Sequence, residues 1–86
     1  MKQSMRSYWN YRVVKYQAGE GEFVEDVFEV CEVYYTDDKP HSFIKDKNPL
    51  NQESVDNIVN VLSRISEAIS KPVLVWDEKE LVELKD

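Results

Sequence analysis

Residues 51–72, NQESVDNIVNVLSRISEAISKP, decide the fold. Val55, Ile58, Leu62, Ile65 and Ile69 recur at spacings of three, four, three and four, which sets them on one stripe of a helical surface. That stripe is the expected buried face, and it leaves Asp56, Asn57, Asn60, Ser63 and Glu67 toward solvent. Asn51 is the expected N-cap, with Leu50 before it and Val55 four residues after it placed as a hydrophobic staple. Pro72 ends the helix, because the residue before a proline is pushed out of the helical region.

Outward from the helix, the sequence reads as strands. Tyr8 to Tyr16 is rich in β-branched and aromatic residues, with Trp9, Tyr11 and Val13 alternating with polar Asn10 and Arg12. Both glycines of the chain fall in the turn that follows, at positions 19 and 21. Phe23 to Tyr35 makes a long second strand, residues 36–40 a reverse turn, and His41 to Ile44 a short third strand. Short turns between consecutive strands favour an antiparallel meander. Pro72 to Trp76 reads as a fourth strand, and residues 77–86 as a short helix or a frayed end, like residues 1–6. The expected architecture is a single α+β domain over residues 1–86. In it an antiparallel three- to four-stranded sheet, in the order strand-strand-strand-helix-strand, packs on one amphipathic helix.

Composition narrows the functional classes. Hydrophobic residues at 42% and charged residues at 33% describe a globular chain, and 86 residues allow one core. The longest apolar run, Pro72 to Trp76, is far short of the roughly 20 residues that cross a bilayer. No signal-like apolar run follows Lys2 and Arg6, and a single cysteine forms no internal disulfide, so a cytoplasmic protein without a membrane partner is expected. The net charge of −6 is unevenly spread. Residues 1–15 hold Lys2, Arg6, Arg12 and Lys15 and no acid, whereas residues 16–38 hold eight acids and no base. Such a segment repels phosphate, which argues against a nucleic-acid partner.

The second strand is apolar in both registers, Phe28, Val30 and Tyr34 on one face and Val27, Cys31, Val33 and Tyr35 on the other. One helix about 10 Å wide covers one face of a sheet nearly 20 Å across at ~4.8 Å per strand. Three explanations stand for the second face: a β-bulge near Val30 and Cys31, a contact surface for a partner or another copy, or a C-terminal segment folded over it.

Chemistry is sparse. Cys31 and His41 are single, and strand pairing across the turn sets Cys31 opposite Ile44 or Lys45, away from His41. Asp37-Asp38 lacks the further oxygens of a calcium loop, and no zinc-type spacing occurs. Glu25 and Glu29 would stand roughly 13 Å apart along a regular strand, too far for a glycosidase pair. Gly19-Glu20-Gly21 would set an acid beside a phosphate. The expectation is a non-enzymatic chain with no cofactor and no metal.

Residues 9–14 (WNYRVV), 32–35 (EVYY), 39–42 (KPHS) and 68–74 (AISKPVL) resemble a family of small bacterial proteins without an assigned activity. The likeness implies a bacterial cytoplasmic or mobile-element origin. In architecture the strand-strand-strand-helix-strand order is also similar to the HicB-type antitoxin domain, which would imply a sequestrant of a small toxin.

Taken together, these features point to an acidic interaction module for a basic protein partner, of inhibitor, sequestrant or decoy type. Glu25, Glu29, Glu32 and Tyr34 are its candidate contact residues. A homo-oligomer with no separate ligand is the alternative.

Overall fold

The computed structural model describes residues 6–45 and 47–84. Two twelve-residue strands, β1 (Ser7–Ala18) and β2 (Glu25–Thr36), form its spine. They pair without interruption from Ser7 opposite Thr36 to Ala18 opposite Glu25. A bulge near Val30 and Cys31, one of the three explanations for the second face, therefore does not form. The register shift lies instead between Tyr34 and Tyr35, where β2 pairs with β3 (Lys39–Ile44). Asp37 and Asp38 both take positive φ, 52° and 69°, the geometry of a two-residue hairpin whose twist matches that of its strands. Pro40 is tolerated because β3 is an edge strand.

The β1–β2 connection carries one 3-10 turn, Gly21–Phe23. Gly19 has φ +110°, and a Cβ there would sit 2.1 Å from the Phe23 carbonyl oxygen, so only glycine closes this loop.

After β3 the chain enters α1 (Val55–Ile69), which carries it across the sheet to β4 (Leu74–Trp76), and β4 lies parallel beside β1. β5 (Leu81–Glu83) returns antiparallel to β4, giving the order β3-β2-β1-β4-β5. The fold is α+β as expected, but the sheet is mixed and five-stranded rather than antiparallel with three or four strands. The cause is the helical crossover, which delivers the next strand in the direction of β1. Residues 77–84 neither fray nor form a helix. Asp77 Oδ1 accepts from the amides of Lys79 and Glu80, 2.9 Å each, and turns the chain into β5, while the Leu84 amide donates to the Val73 carbonyl at 2.7 Å. Expected fraying at 1–5, 85 and 86 lies outside the described residues. Arg6 is described, and its amide donates to Asp37 Oδ1 at 3.1 Å.

The alternation in β2 sorts the sheet into two faces. On the first, Val14, Tyr16, Cys31, Val33, Tyr35, Leu74 and Leu81 form the main core, with Val27, Phe43 and Trp76 packed against it. The twisted sheet curls over this face until its two edges approach: β3 touches β5, and the Phe43 and Trp76 rings meet edge to face at 5.6 Å. The second face of β2 thus needs neither a bulge nor a partner to bury it, since the C-terminal strands complete the concave side. Asn10 and Arg12, read as the polar register of β1, share this concave face with Val14 and Tyr16.

The convex face receives α1, and here the expected stripe is rotated. Val61 and Ala68 are the buried helix residues, packed with Ile65 against Tyr11 and Val30. Val55, Leu62 and Ile69 are 73%, 48% and 65% exposed. The small Ala68 side chain lets the helix backbone lie close over Tyr11, so the helix rolls toward Ala68 and away from the bulkier stripe. The N-cap is Ser54, not Asn51: its Oγ accepts from the Asn57 amide at 3.1 Å. Leu50 and Val55 are both exposed, so the expected staple does not close.

Candidate interaction surface

The alternation that sorts the core also separates the candidate acids. Glu25 and Glu29 point to the concave side of β2, whereas Glu32 and Tyr34 point to the convex side. Glu29 accepts a hydrogen bond from the Tyr16 hydroxyl. Glu32, 8% exposed, accepts from the Tyr34 hydroxyl at 2.6 Å and pairs with Lys47 Nζ at 2.8 Å. Burial alone would push the Glu32 carboxyl up, but the hydrogen bonds from Lys47 and Tyr34 outweigh it and hold the group below its usual value. The same contacts push the Tyr34 hydroxyl and the Lys47 ammonium up. These four residues therefore do not form one patch, and Glu32 and Tyr34 serve each other.

What remains open on the acidic element is its tip. Phe23, held in the 3-10 turn by a hydrogen bond from its amide to the Glu20 carbonyl (2.9 Å), is 84% exposed, and Val24 beside it is 42% exposed. Glu20, Glu22 and Glu25 neighbour them along the chain, all exposed and without an ion pair among the described residues, and Glu22 and Glu25 line a hollow with them. Asp26 is answered locally, by Lys15 Nζ at 3.6 Å. The sequence signal for this site was present in residues 19–26, where Phe23 stands among alternating acids. The apolar pattern assigns Phe23 to the start of the second strand, whereas it closes the 3-10 turn and β2 begins at Glu25.

Arg12 was also missed. Its guanidinium is almost wholly covered, donating to the Tyr35 hydroxyl at 3.2 Å and the Pro72 carbonyl at 2.6 Å, with the Glu83 carboxylate 3.8 Å away. It ties β1 to the chain that leaves α1 and to β5. A cleft of about 420 Å³ opens beside it, lined among others by Tyr8, Asn10, Lys71 and Glu83, with charges of both signs.

Cys31 is 2% exposed on the concave face, and His41 lies exposed on β3, so the two are not brought together. Among the described residues, no group of three or more His, Cys, Asp or Glu side chains is placed to hold a metal ion. No helix among them is long and apolar enough to cross a membrane. Comparison with known proteins found no matching protein family, curated protein or solved structure.

Proposed function

We propose that this chain is a non-enzymatic protein-interaction module that takes a basic protein partner on the tip of the β1–β2 hairpin, as an inhibitor, sequestrant or decoy would. The observation that carries the reading is the exposed Phe23, which shares a surface hollow with Val24, Glu22 and Glu25 and follows the exposed Glu20 in the turn. A large aromatic left in water is costly in isolation and is the side chain type that anchors interfaces. Carboxylates around it raise the encounter rate of a cationic surface and contribute less to the final affinity. The tip is also preorganised, because Gly19 and the Glu20–Phe23 hydrogen bond fix the turn.

The reading is tested with proteins retained by the immobilised chain from its host. Phe23→Ala is expected to abolish retention of the principal basic species. Reversal of Glu20, Glu22 and Glu25 to lysine should slow its association at low salt, with a smaller effect as salt rises. Retention that survives both changes overturns the proposal. Glu32 is unsuited to this test, since a lysine there would face Lys47 in a covered position.

A further inference from the structure

We propose that an extended basic segment of a partner protein adds as a strand to the outer edge of β2, antiparallel to it, from Val24 to Phe28. The inference rests on the hairpin reading for the charge of the partner, and adds the manner in which that partner is held.

β2 pairs with β1 along all twelve of its residues, but β3 meets it only from Glu32 to Thr36. Its opening residues, Glu25 to Phe28, therefore have β1 on one side and no strand on the other among the described residues. Val24 before them is already extended, with φ −83° and ψ 131°. In an antiparallel ladder every second residue turns both its N–H and its C=O away from the neighbouring strand. This stretch thus offers backbone donors and acceptors to solvent at strand spacing, and another extended chain is what matches them in series.

The edge also lacks the devices that usually close one. The outer edge of β3 carries Pro40 beside Lys39, and β5 is only three residues long. Residues 24–28 contain no proline and no lysine, and their pairing with β1 has no bulge. Val24 and Phe28 are 42% and 59% exposed, so the edge has apolar side chains to cover as well as backbone to pair.

The charges select the occupant. Residues 20–29 hold five carboxylates. Two ammonium groups answer them: Lys15 Nζ lies 3.6 Å from Asp26 and 5.9 Å from the Phe28 ring centroid, and Lys45 Nζ lies 4.4 Å over the Tyr16 ring. A second copy of the chain would set one acidic excess against another, which destabilises a ladder, whereas a cationic segment relieves it. Glu25 and Val27 point to the concave side of the sheet, Asp26 and Phe28 to the convex side. The matching antiparallel segment reads, from its N-terminus, two apolar residues opposite Phe28 and Val27 and then two basic residues opposite Asp26 and Glu25. Five residues span about 17 Å at ~3.4 Å each, a contact well below the ~800 Å² per partner of a standard interface. Such a segment alone should bind with a dissociation constant on the order of 100 µM.

The test is a titration of the full chain with the blocked peptide Tyr-Val-Lys-Lys-Val, followed by backbone amide chemical shifts. The shifts should centre on residues 24–28, and at saturation every second amide of Glu25–Phe28 should slow in hydrogen exchange. Two further peptides, N-methylated on complementary alternate residues, separate backbone pairing from charge attraction: one set should lose affinity at least about tenfold and the other keep it. Asp26→Lys and, separately, Glu25→Lys should each weaken binding at least about tenfold with an unchanged circular dichroism spectrum, since both positions are exposed. Two variants guard against one that fails to fold. No shift at about 2 mM peptide, or equal binding by both methylated sets, would overturn the proposal. So would shifts at residues 24–28 that grow with protein concentration alone, because a second copy would then occupy the edge. The hairpin reading fails separately: loss of the host species on Phe23→Ala beside a silent edge sinks the strand proposal alone, and retention that survives Phe23→Ala beside a discriminating peptide pair sinks the hairpin reading alone.

Discussion

The two faces of the sheet are built from equally apolar strands yet end in opposite conditions. On the concave face Val14, Val33 and Leu74 are at most 1% exposed, because the long strands twist and the edges close over them. On the convex face a single helix must cover the same length of strand, and only Val61 and Ala68 of its residues are buried. Curvature and the two three-residue strands β4 and β5 hide one face, whereas covering the other needs more helix than residues 55–69 supply. Stability should therefore reside in the concave core, and the convex side should be available for contact.

The largest expected effect follows from that division. Leu74→Ala removes a side chain that is 1% exposed at the junction of β1, β4 and the core, and should cost about 2–5 kcal/mol in a urea titration. A loss below about 1 kcal/mol would mean that the concave face is not the principal core.

Arg12→Ala comes next. It leaves the Tyr35 hydroxyl and the Pro72 carbonyl without their donor and removes a side-chain tie that supplements the β1–β4 pairing, for an expected cost of about 1–3 kcal/mol. Hydrogen exchange should show protection lost first in β4 and β5. Uniform loss across β1 and β2 would indicate instead that Arg12 supports the whole sheet.

The pattern of β2 was legible in the sequence because a strand has only two registers, and Val27, Cys31, Val33 and Tyr35 do share the concave side with Phe28, Val30 and Tyr34 opposite. The helix was legible in extent but not in orientation. Ile58 and Ile65, both half-buried, fit either orientation, so spacing alone does not say whether Val61 and Ala68 or Val55, Leu62 and Ile69 meet the sheet. That choice is made by the fit of Ala68 to Tyr11, a contact remote in sequence. β5 was hidden because its apolar pair Leu81-Val82 sits among charges, and only pairing with β4 makes it a strand. The acidic run was legible as charge but not as a surface. Its members alternate between faces, and Glu32 finds Lys47 from across the β3–α1 connection.

That last pair makes a pH-dependent test of the convex side. The Glu32 carboxyl is held below its ordinary value of 4.5, so it contributes stability that is complete above that value and is lost as pH falls through the lowered one. The urea midpoint of the native chain should thus drop more steeply on acidification than that of Glu32→Gln, with Glu25→Gln as the comparison. Parallel curves for the native chain and Glu32→Gln would show that the Lys47 and Tyr34 contacts do not persist in solution.

The smallest effect is expected at Leu62, and it discriminates most sharply between the faces. Its spacing marks it as a core leucine, for which truncation would cost several kcal/mol, yet it is 48% exposed and the buried helix residues are Val61 and Ala68. Half of its side chain is already in water when the protein is folded. Leu62→Ala therefore forfeits only part of the transfer free energy and opens no closed cavity, for a cost of about 1 kcal/mol or less. A urea titration of Leu62→Ala beside the native chain measures it. A loss there comparable to that of Leu74→Ala would mean that the helix in solution is rolled back onto the Val55, Leu62 and Ile69 stripe, and that Val61 and Ala68 face outward instead.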